Sequence, residues 1–124
     1  MSKKKIMIVD DEESLVELVK AILEREGFEV IPAYNGDECL NKLEKLKPDL
    51  ILMDMMMPKM TGKETTKKIR ENPKTKDIKI IFLTVVRLSE IGKDGLKKLN
   101  VLDFITKPFD NADLVNRVKK LLGV

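Results

Sequence analysis

Three carboxylates sit at the ends of two short apolar segments. Asp10 and Asp11 follow Ile6-Met7-Ile8-Val9, and Asp54 follows Leu50-Ile51-Leu52-Met53. If the two segments are neighbouring parallel strands, the three acids meet. Like charges at close range raise one another's pKa unless a cation intervenes. Carboxylate and carbonyl oxygens select a hard divalent ion such as Mg²⁺. Asp11, Asp54 and a main-chain carbonyl near Met56 would supply protein ligands, and water would complete the octahedron. Two more residues fall at the same kind of place. Thr84 follows Ile80-Ile81-Phe82-Leu83, and Lys107 precedes Pro108 just after another apolar run. A hydroxyl and an ammonium facing an acid cluster make a site of phosphate size, where charge is neutralised and a hydrogen bond is donated. Each residue alone has a plain explanation: Asp as a turn or N-cap residue, Thr84 as a strand end, Lys107 as a solvent-facing lysine. The combination carries the reading.

The rest of the composition narrows the chemistry. The 124 residues contain no His and one Cys. That removes His-based acid–base catalysis, Ser-His-Asp triads and Cys/His zinc sites. It also leaves Cys39 without an internal disulfide partner, in keeping with a reducing compartment. No apolar run approaches the ~18 residues of a membrane span, and Asp10 to Glu13 interrupts any secretory core. A cytoplasmic protein of one domain, residues 1–124, with no membrane partner is therefore expected. The net charge of +3 is spread over interspersed Lys, Arg, Asp and Glu. Solvated helix faces explain it as well as a nucleic-acid surface would, so no direct nucleic-acid contact is expected.

Five apolar runs must position these residues: Lys5–Val9, Glu29–Ala33, Leu50–Met53, Lys79–Leu83 and Leu102–Ile105. Helical patterns separate them. Leu15, Leu18, Val19, Ile22 and Leu23 form an i, i+3, i+4, i+7, i+8 stripe, ended by Gly27. A second helix starts near Asn35-Gly36, carries Leu40, Leu43 and Leu46, and is stopped by Pro48. A third runs from about Thr61 to Asn72 with a poor apolar face. A fourth spans roughly Ser89 to Leu99 and holds Gly92 and Gly95, each costing up to ~1 kcal/mol in a helix interior. The last carries Leu114, Val115, Val118, Leu121 and Leu122, capped by Asp110 or Asn111. Strands alternating with helices predict an α/β fold, a doubly wound (βα)₅ parallel sheet. The expected strand order is 2-1-3-4-5, with the first and third strands adjacent. In such sheets ligands sit beyond the C-terminal strand ends, at the switch in strand order.

The motifs Val9-Asp10-Asp11-Glu12, Asp54-Met55-Met56-Met57-Pro58 with Gly62, Leu83-Thr84 and Thr106-Lys107-Pro108-Phe109 together resemble the receiver domains of response regulators. The resemblance covers essentially the whole chain. That family is itself a standard example of the 2-1-3-4-5 flavodoxin-like order, so the order is partly taken from it. The resemblance implies that Asp54 is the phosphoacceptor. Asp11 is a direct Mg²⁺ ligand, Asp10 assists through water, and Met56 contributes its main-chain carbonyl. Thr84 is the switch hydroxyl, Lys107 contacts the phosphoryl group, and Phe104 turns inward when Thr84 moves. The donor is a phosphohistidine on a sensor histidine kinase or phosphotransfer protein, since this chain has no His. The output is a reshaped surface of helix four, strand five and helix five, read by an unknown downstream protein. A stand-alone domain with no output domain is the expectation. It is not an enzyme beyond self-phosphotransfer and slow autodephosphorylation.

Some residues depart from the family pattern. Met56 and Val86 are apolar where polar groups often flank the attacking water, which implies slow autodephosphorylation. Asn100-Val101 replaces a frequent Gly-Ala pair, and Asn tolerates the left-handed conformation. Thr84 and Lys107 lie 23 positions apart, one more than is usual. Phe104 stands where Tyr is frequent. A cis Lys107–Pro108 peptide would aim Lys107 inward. The same residues argue against other functions. An aspartyl-phosphate phosphohydrolase generally needs a second Asp two residues after the nucleophile, where Met56 stands. A nucleotide or flavin module needs a Gly-rich loop after strand one, where Asp10 to Glu13 would repel phosphate. An inactive docking receiver would not need Asp11, Asp54, Thr84 and Lys107 together.

Overall fold

In the computed structural model, residues 3–86 and 92–124 are described. The chain alternates β1 (Lys5–Val9), α1 (Glu13–Arg25), β2 (Glu29–Ala33), α2 (Gly36–Leu43), β3 (Leu50–Met53), α3 (Gly62–Glu71), β4 (Lys79–Thr84), α4 (Lys93–Lys98), β5 (Asp103–Thr106) and α5 (Asn111–Leu122). All strand pairs are parallel, in the order β2-β1-β3-β4-β5. The expected fold class and strand order are both present.

Strand side chains alternate between two faces, and each face has its own core. Ile6, Ile8, Leu50, Leu52, Ile81 and Leu83 pack with Val16, Val19 and Leu23 of α1 and Leu114 and Val118 of α5. Met7, Val9, Ile51, Met53, Ile80 and Phe82 pack with Cys39 and Leu43 of α2 and Ile69 of α3, with Leu96 of α4 against them. The central strands are buried on both sides, which explains their near-continuous apolar runs.

The helix ends follow their caps. The Asn35 side chain accepts from the Glu38 amide, and the Asp110 side chain from that of Asp113. Thr61 and Glu64 form a reciprocal capping box. Gly27, just beyond α1, has φ +94° and Asn100, before β5, has φ +55°. Both are left-handed positions, as Gly and Asn at these places allow.

Four expectations need correction. Leu18 is 48% exposed, and Val16 takes its place in the core. Leu18 instead flanks a groove toward Val115 of α5. Second, α2 ends at Leu43 rather than at Pro48. The amides of Glu44 and Lys45 turn back to Asn41 and Lys42, three residues earlier, which tightens the end into a 3₁₀-like turn. Leu46 falls beyond it, at the surface. Third, Gly92 is not inside the fourth helix but at its N-cap, with φ +81°, and only Gly95 lies within α4. The expected first turn, Ser89 to Ile91, lies outside the described residues. Fourth, β4 and β5 each reach one residue further than expected, so Thr84 is the last residue of β4 and Leu102 precedes β5.

Candidate functional site

The register between β1 and β3 pairs Val9 with Met53. The residues that follow, Asp10 and Asp54, therefore leave the sheet side by side. The Asp54 amide still donates to the Val9 carbonyl at 2.9 Å, and the Asp10 amide donates to Ala33 of β2 at 3.0 Å. Both backbones are fixed by the last rungs of the ladder. Asp10 and Asp54 are almost fully buried, at 1% and 4% exposure, while Asp11 is exposed. One carboxylate oxygen from each of the three lies within 4.8 Å of the others.

Lys107 enters from β5. Its backbone amide extends the β4–β5 ladder by donating to the Thr84 carbonyl at 2.9 Å, and the peptide to Pro108 is cis. Its ammonium donates to Asp10 Oδ2 at 2.5 Å and lies 3.7 Å from Asp54 Oδ2. Three acids and one ammonium leave a local charge of about −2 when all are ionised. Burial pushes the Asp10 pKa up, the Lys107 hydrogen bond and the Glu12 amide pull it back, and Asp54 pushes it up again. The net shift is upward. One divalent ion would cancel the remaining charge. The donors here are all oxygens, and they converge within the span of a small cation, so the residues fit a hard dication rather than a thiophilic metal.

Two backbone amides fasten the acids. Glu12 donates to Asp10 Oδ1 at 2.9 Å, and Met56 to Asp54 Oδ1 at 3.2 Å. The loop from Asp54 closes back on itself where the Gly62 amide reaches the Met55 carbonyl at 3.1 Å. A Cβ at Gly62 would lie 2.0 Å from the Asp54 carbonyl oxygen. This glycine therefore sets how closely the start of α3 approaches the backbone of Asp54 and Met55. Sequence reasoning named Gly62 within a motif but gave it no task. The available signal was a glycine opening a helix, where a capping residue alone would have sufficed.

Thr84 is fully buried at the end of β4, and its hydroxyl accepts weakly from the Val86 amide at 3.4 Å. Phe104 pairs with Phe82 in the β4–β5 register and is half-buried against the α2–α3 core. Met56, two residues after Asp54, is 59% exposed, and Val85, next to Thr84 in the chain, is 61% exposed. Asp10, Asp11, Asp54 and Lys107 thus come together, with Thr84 one strand away and Phe104 one strand further.

A sheet of this order with acids at its switch point matches the family model for the response regulator receiver domain over residues 6–119. The chain belongs to this family. The receiver domain is a phosphoacceptor module of two-component response regulators, a signalling fold rather than a conventional enzyme. It is 42% identical over 119 residues to the alkaline phosphatase synthesis transcriptional regulatory protein PhoP of Bacillus subtilis, a match covering 96% of this chain and 48% of that protein. The chain spans about half the length of the curated relatives it matches. Among solved structures it resembles the chemotaxis protein CheY4 of Vibrio cholerae, with TM-score 0.90, 32% identity and coverage of 97% and 99% of the two chains. It also resembles the response regulator TrrA of Thermotoga maritima, solved in complex with Mg²⁺-BeF, with TM-score 0.82, 38% identity and coverage of 95% and 98%. Among the described residues, no helix is long and apolar enough to cross a membrane.

Proposed function

We propose that this receiver domain accepts a phosphoryl group on Asp54 from a phosphohistidine of a sensor histidine kinase or phosphotransfer protein, with Mg²⁺ held by Asp11, Asp54 and the Met56 carbonyl. The observation that carries the reading is the convergence of Asp10, Asp11 and Asp54 with Lys107 in ion-pair reach of two of them. Asp10 supports the ion through water. When bound, the dication neutralises charge on the transferring phosphoryl oxygens.

The protein groups do the rest. The Met56 amide holds Asp54 Oδ1, and Oδ2, which Lys107 faces at 3.7 Å, attacks phosphorus in line. The phosphorus–nitrogen bond to the donor imidazole breaks as the phosphorus–oxygen bond forms. Lys107, which bridges Asp10 and Asp54, turns its charge to the phosphoryl oxygens and stabilises them. The product carries roughly two negative charges. Thr84 then moves to donate its hydroxyl to it, and Phe104 fills the space behind. This biases the surface of α4, β5 and α5 between two states. A downstream protein reads that surface, without direct nucleic-acid contact by this domain. Self-phosphotransfer and slow autodephosphorylation are its only reactions. The domain acts as a cytoplasmic switch.

Incubation with acetyl phosphate and Mg²⁺, read by intact mass, tests the reading. Wild type gains one phosphoryl group and Asp54→Asn gains none. Labelling that persists in Asp54→Asn, or that proceeds equally in EDTA, overturns it.

A further inference from the structure

Six methionines fall within the described residues, and their surroundings differ sharply. Met7, Met53 and Met57 are buried, Met55 and Met60 are half-buried, and Met56 alone is exposed, at 59%. Met56 is also the residue whose amide holds Asp54 Oδ1 at 3.2 Å. The most accessible thioether of the described chain is thus rooted beside the acceptor carboxylate. A thioether is a weak hydrogen-bond acceptor, and its oxidation product is a polar, chiral sulfoxide.

We propose that Met56 is an oxidation site at which hydrogen peroxide converts the thioether to a sulfoxide and thereby shortens the life of the phosphorylated state. This rests on the reading of Asp54 as the phosphoacceptor. The sulfur lone pair attacks one peroxide oxygen, the oxygen–oxygen bond breaks, and water leaves after proton transfer. Sulfur loses two electrons and the peroxide gains them. The step needs no metal and no second thiol. Cys39 does not compete, because burial holds it as the protonated thiol, its pKa pushed up to about 12.

The consequence follows from what surrounds the phosphoryl group. Met56 follows Asp54 by two residues, its amide holds Asp54 Oδ1 at 3.2 Å, and its exposed thioether holds no water by a strong hydrogen bond. A sulfoxide oxygen at Met56 accepts a hydrogen bond from water and turns the water's lone pair toward phosphorus, while the water's proton passes to solvent. A well-placed general base contributes ~10²–10⁴-fold. An exposed, flexible acceptor that is not itself a good base should give far less, about threefold in the hydrolysis rate. The half-buried thioethers of Met55 and Met60 serve as internal controls for selectivity.

The test treats folded wild type and Met56→Leu with hydrogen peroxide and maps the 16-dalton gain by peptide mass. Each protein is then labelled with acetyl phosphate and Mg²⁺, and decay of the label is followed by intact mass against its own untreated sample. The expected result is oxidation at Met56 before Met55 or Met60, with a half-life about threefold shorter in treated wild type. Met56→Leu shows no such ratio, and methionine sulfoxide reductase restores the wild-type value. Earlier oxidation of Met55 or Met60, or full oxidation of Met56 with an unchanged half-life, overturns the proposal. Untreated wild type that takes up no label overturns the functional reading itself, and this proposal with it.

Discussion

Titrating Mg²⁺ against the melting temperature tests the electrostatics of the site without any phosphodonor. Asp10 and Asp54 are buried, and their carboxylates lie no more than 4.8 Å apart. At an effective dielectric constant near 20, two such charges repel by roughly 3.5 kcal/mol. Lys107 offsets part of this, and a dication offsets the remainder. Ligand binding to the native state stabilises it by RT ln(1 + [L]/Kd). Above the dissociation constant, each further tenfold in Mg²⁺ therefore adds about 1.4 kcal/mol, whatever that constant is. At about 2.1 cal/mol/K per residue, a chain of 124 residues unfolds with roughly 0.26 kcal/mol/K of entropy. The melting temperature should then climb about 5 °C per decade of Mg²⁺ once binding saturates.

Scanning calorimetry from about 0.1 to 30 mM MgCl₂, at ionic strength matched with NaCl, reads this slope. Asp11→Asn should flatten it. The two proteins should also cross: with EDTA the variant is the more stable, because one repelling charge is gone, and in Mg²⁺ the wild type is. pH supplies a second check. An acid whose folded pKa is raised, as for Asp10, stabilises the fold below its ordinary value and loses that contribution as pH rises through the folded value. In EDTA this contribution falls as the pH climbs from about 4, and the Mg²⁺ increment grows over the same range. A flat melting temperature across the titration, or an equal slope in Asp11→Asn, refutes the argument that these carboxylates share one ion.

Three further outcomes are expected. Gly62→Ala drives a methyl into the Asp54 carbonyl, 2.0 Å away, and should cost about 3 kcal/mol of stability in urea unfolding, with acetyl phosphate labelling slowed as the acceptor loop shifts. Arg70→Met removes a guanidinium that donates to the carbonyls of Lys76, Ile78, Leu99 and Asn100 at 2.7 to 3.1 Å. A loss of about 2–3 kcal/mol is expected, with faster amide exchange at residues 99–101. Cys39 should resist iodoacetamide in the native state at pH 8. Because its folded pKa is raised from 9.0 to about 12, its contribution to stability is complete below pH 9 and is lost as pH rises toward 12. That alkaline loss is measured as the difference from Cys39→Val in chemical unfolding.

Much of the fold was legible because the strands of a sheet covered on both faces must be apolar throughout. Five such runs separated by helix-length segments admit few other arrangements. The strand limits at β1, β2 and β3 match the apolar runs residue for residue. Helix faces were harder. In α1, Leu15, Val16, Leu18, Val19, Ile22 and Leu23 spread over more than one stripe. Periodicity alone cannot choose between Val16 and Leu18. Packing on the sheet makes the choice: Val16 is buried in the core, and Leu18 is left lining the groove between α1 and α5. The end of α2 at Leu43 is hidden from the sequence for a related reason. Pro48 limits how far a helix can run but does not require it to run that far.

The acids were legible for the opposite reason, since they break the local rule. A strand buried on both faces should end in a turn residue that reaches water, yet Asp10 and Asp54 are almost fully enclosed. Burial of like charges is costly unless something offsets it, so their presence at the ends of two apolar runs already pointed to a partner cation. Lys107 comes from β5, two strands away from β3, and nothing local to residue 107 says that it pairs with Asp10. That pairing needed the sheet order before it could be inferred. Arg70 had no such route. Its partners are four main-chain carbonyls in two turns, and a carbonyl is present at every residue whatever its side chain. An interaction of side chain with backbone across distant turns leaves no mark on the partner's sequence. The acid cluster could be read because both sides of its chemistry are side chains.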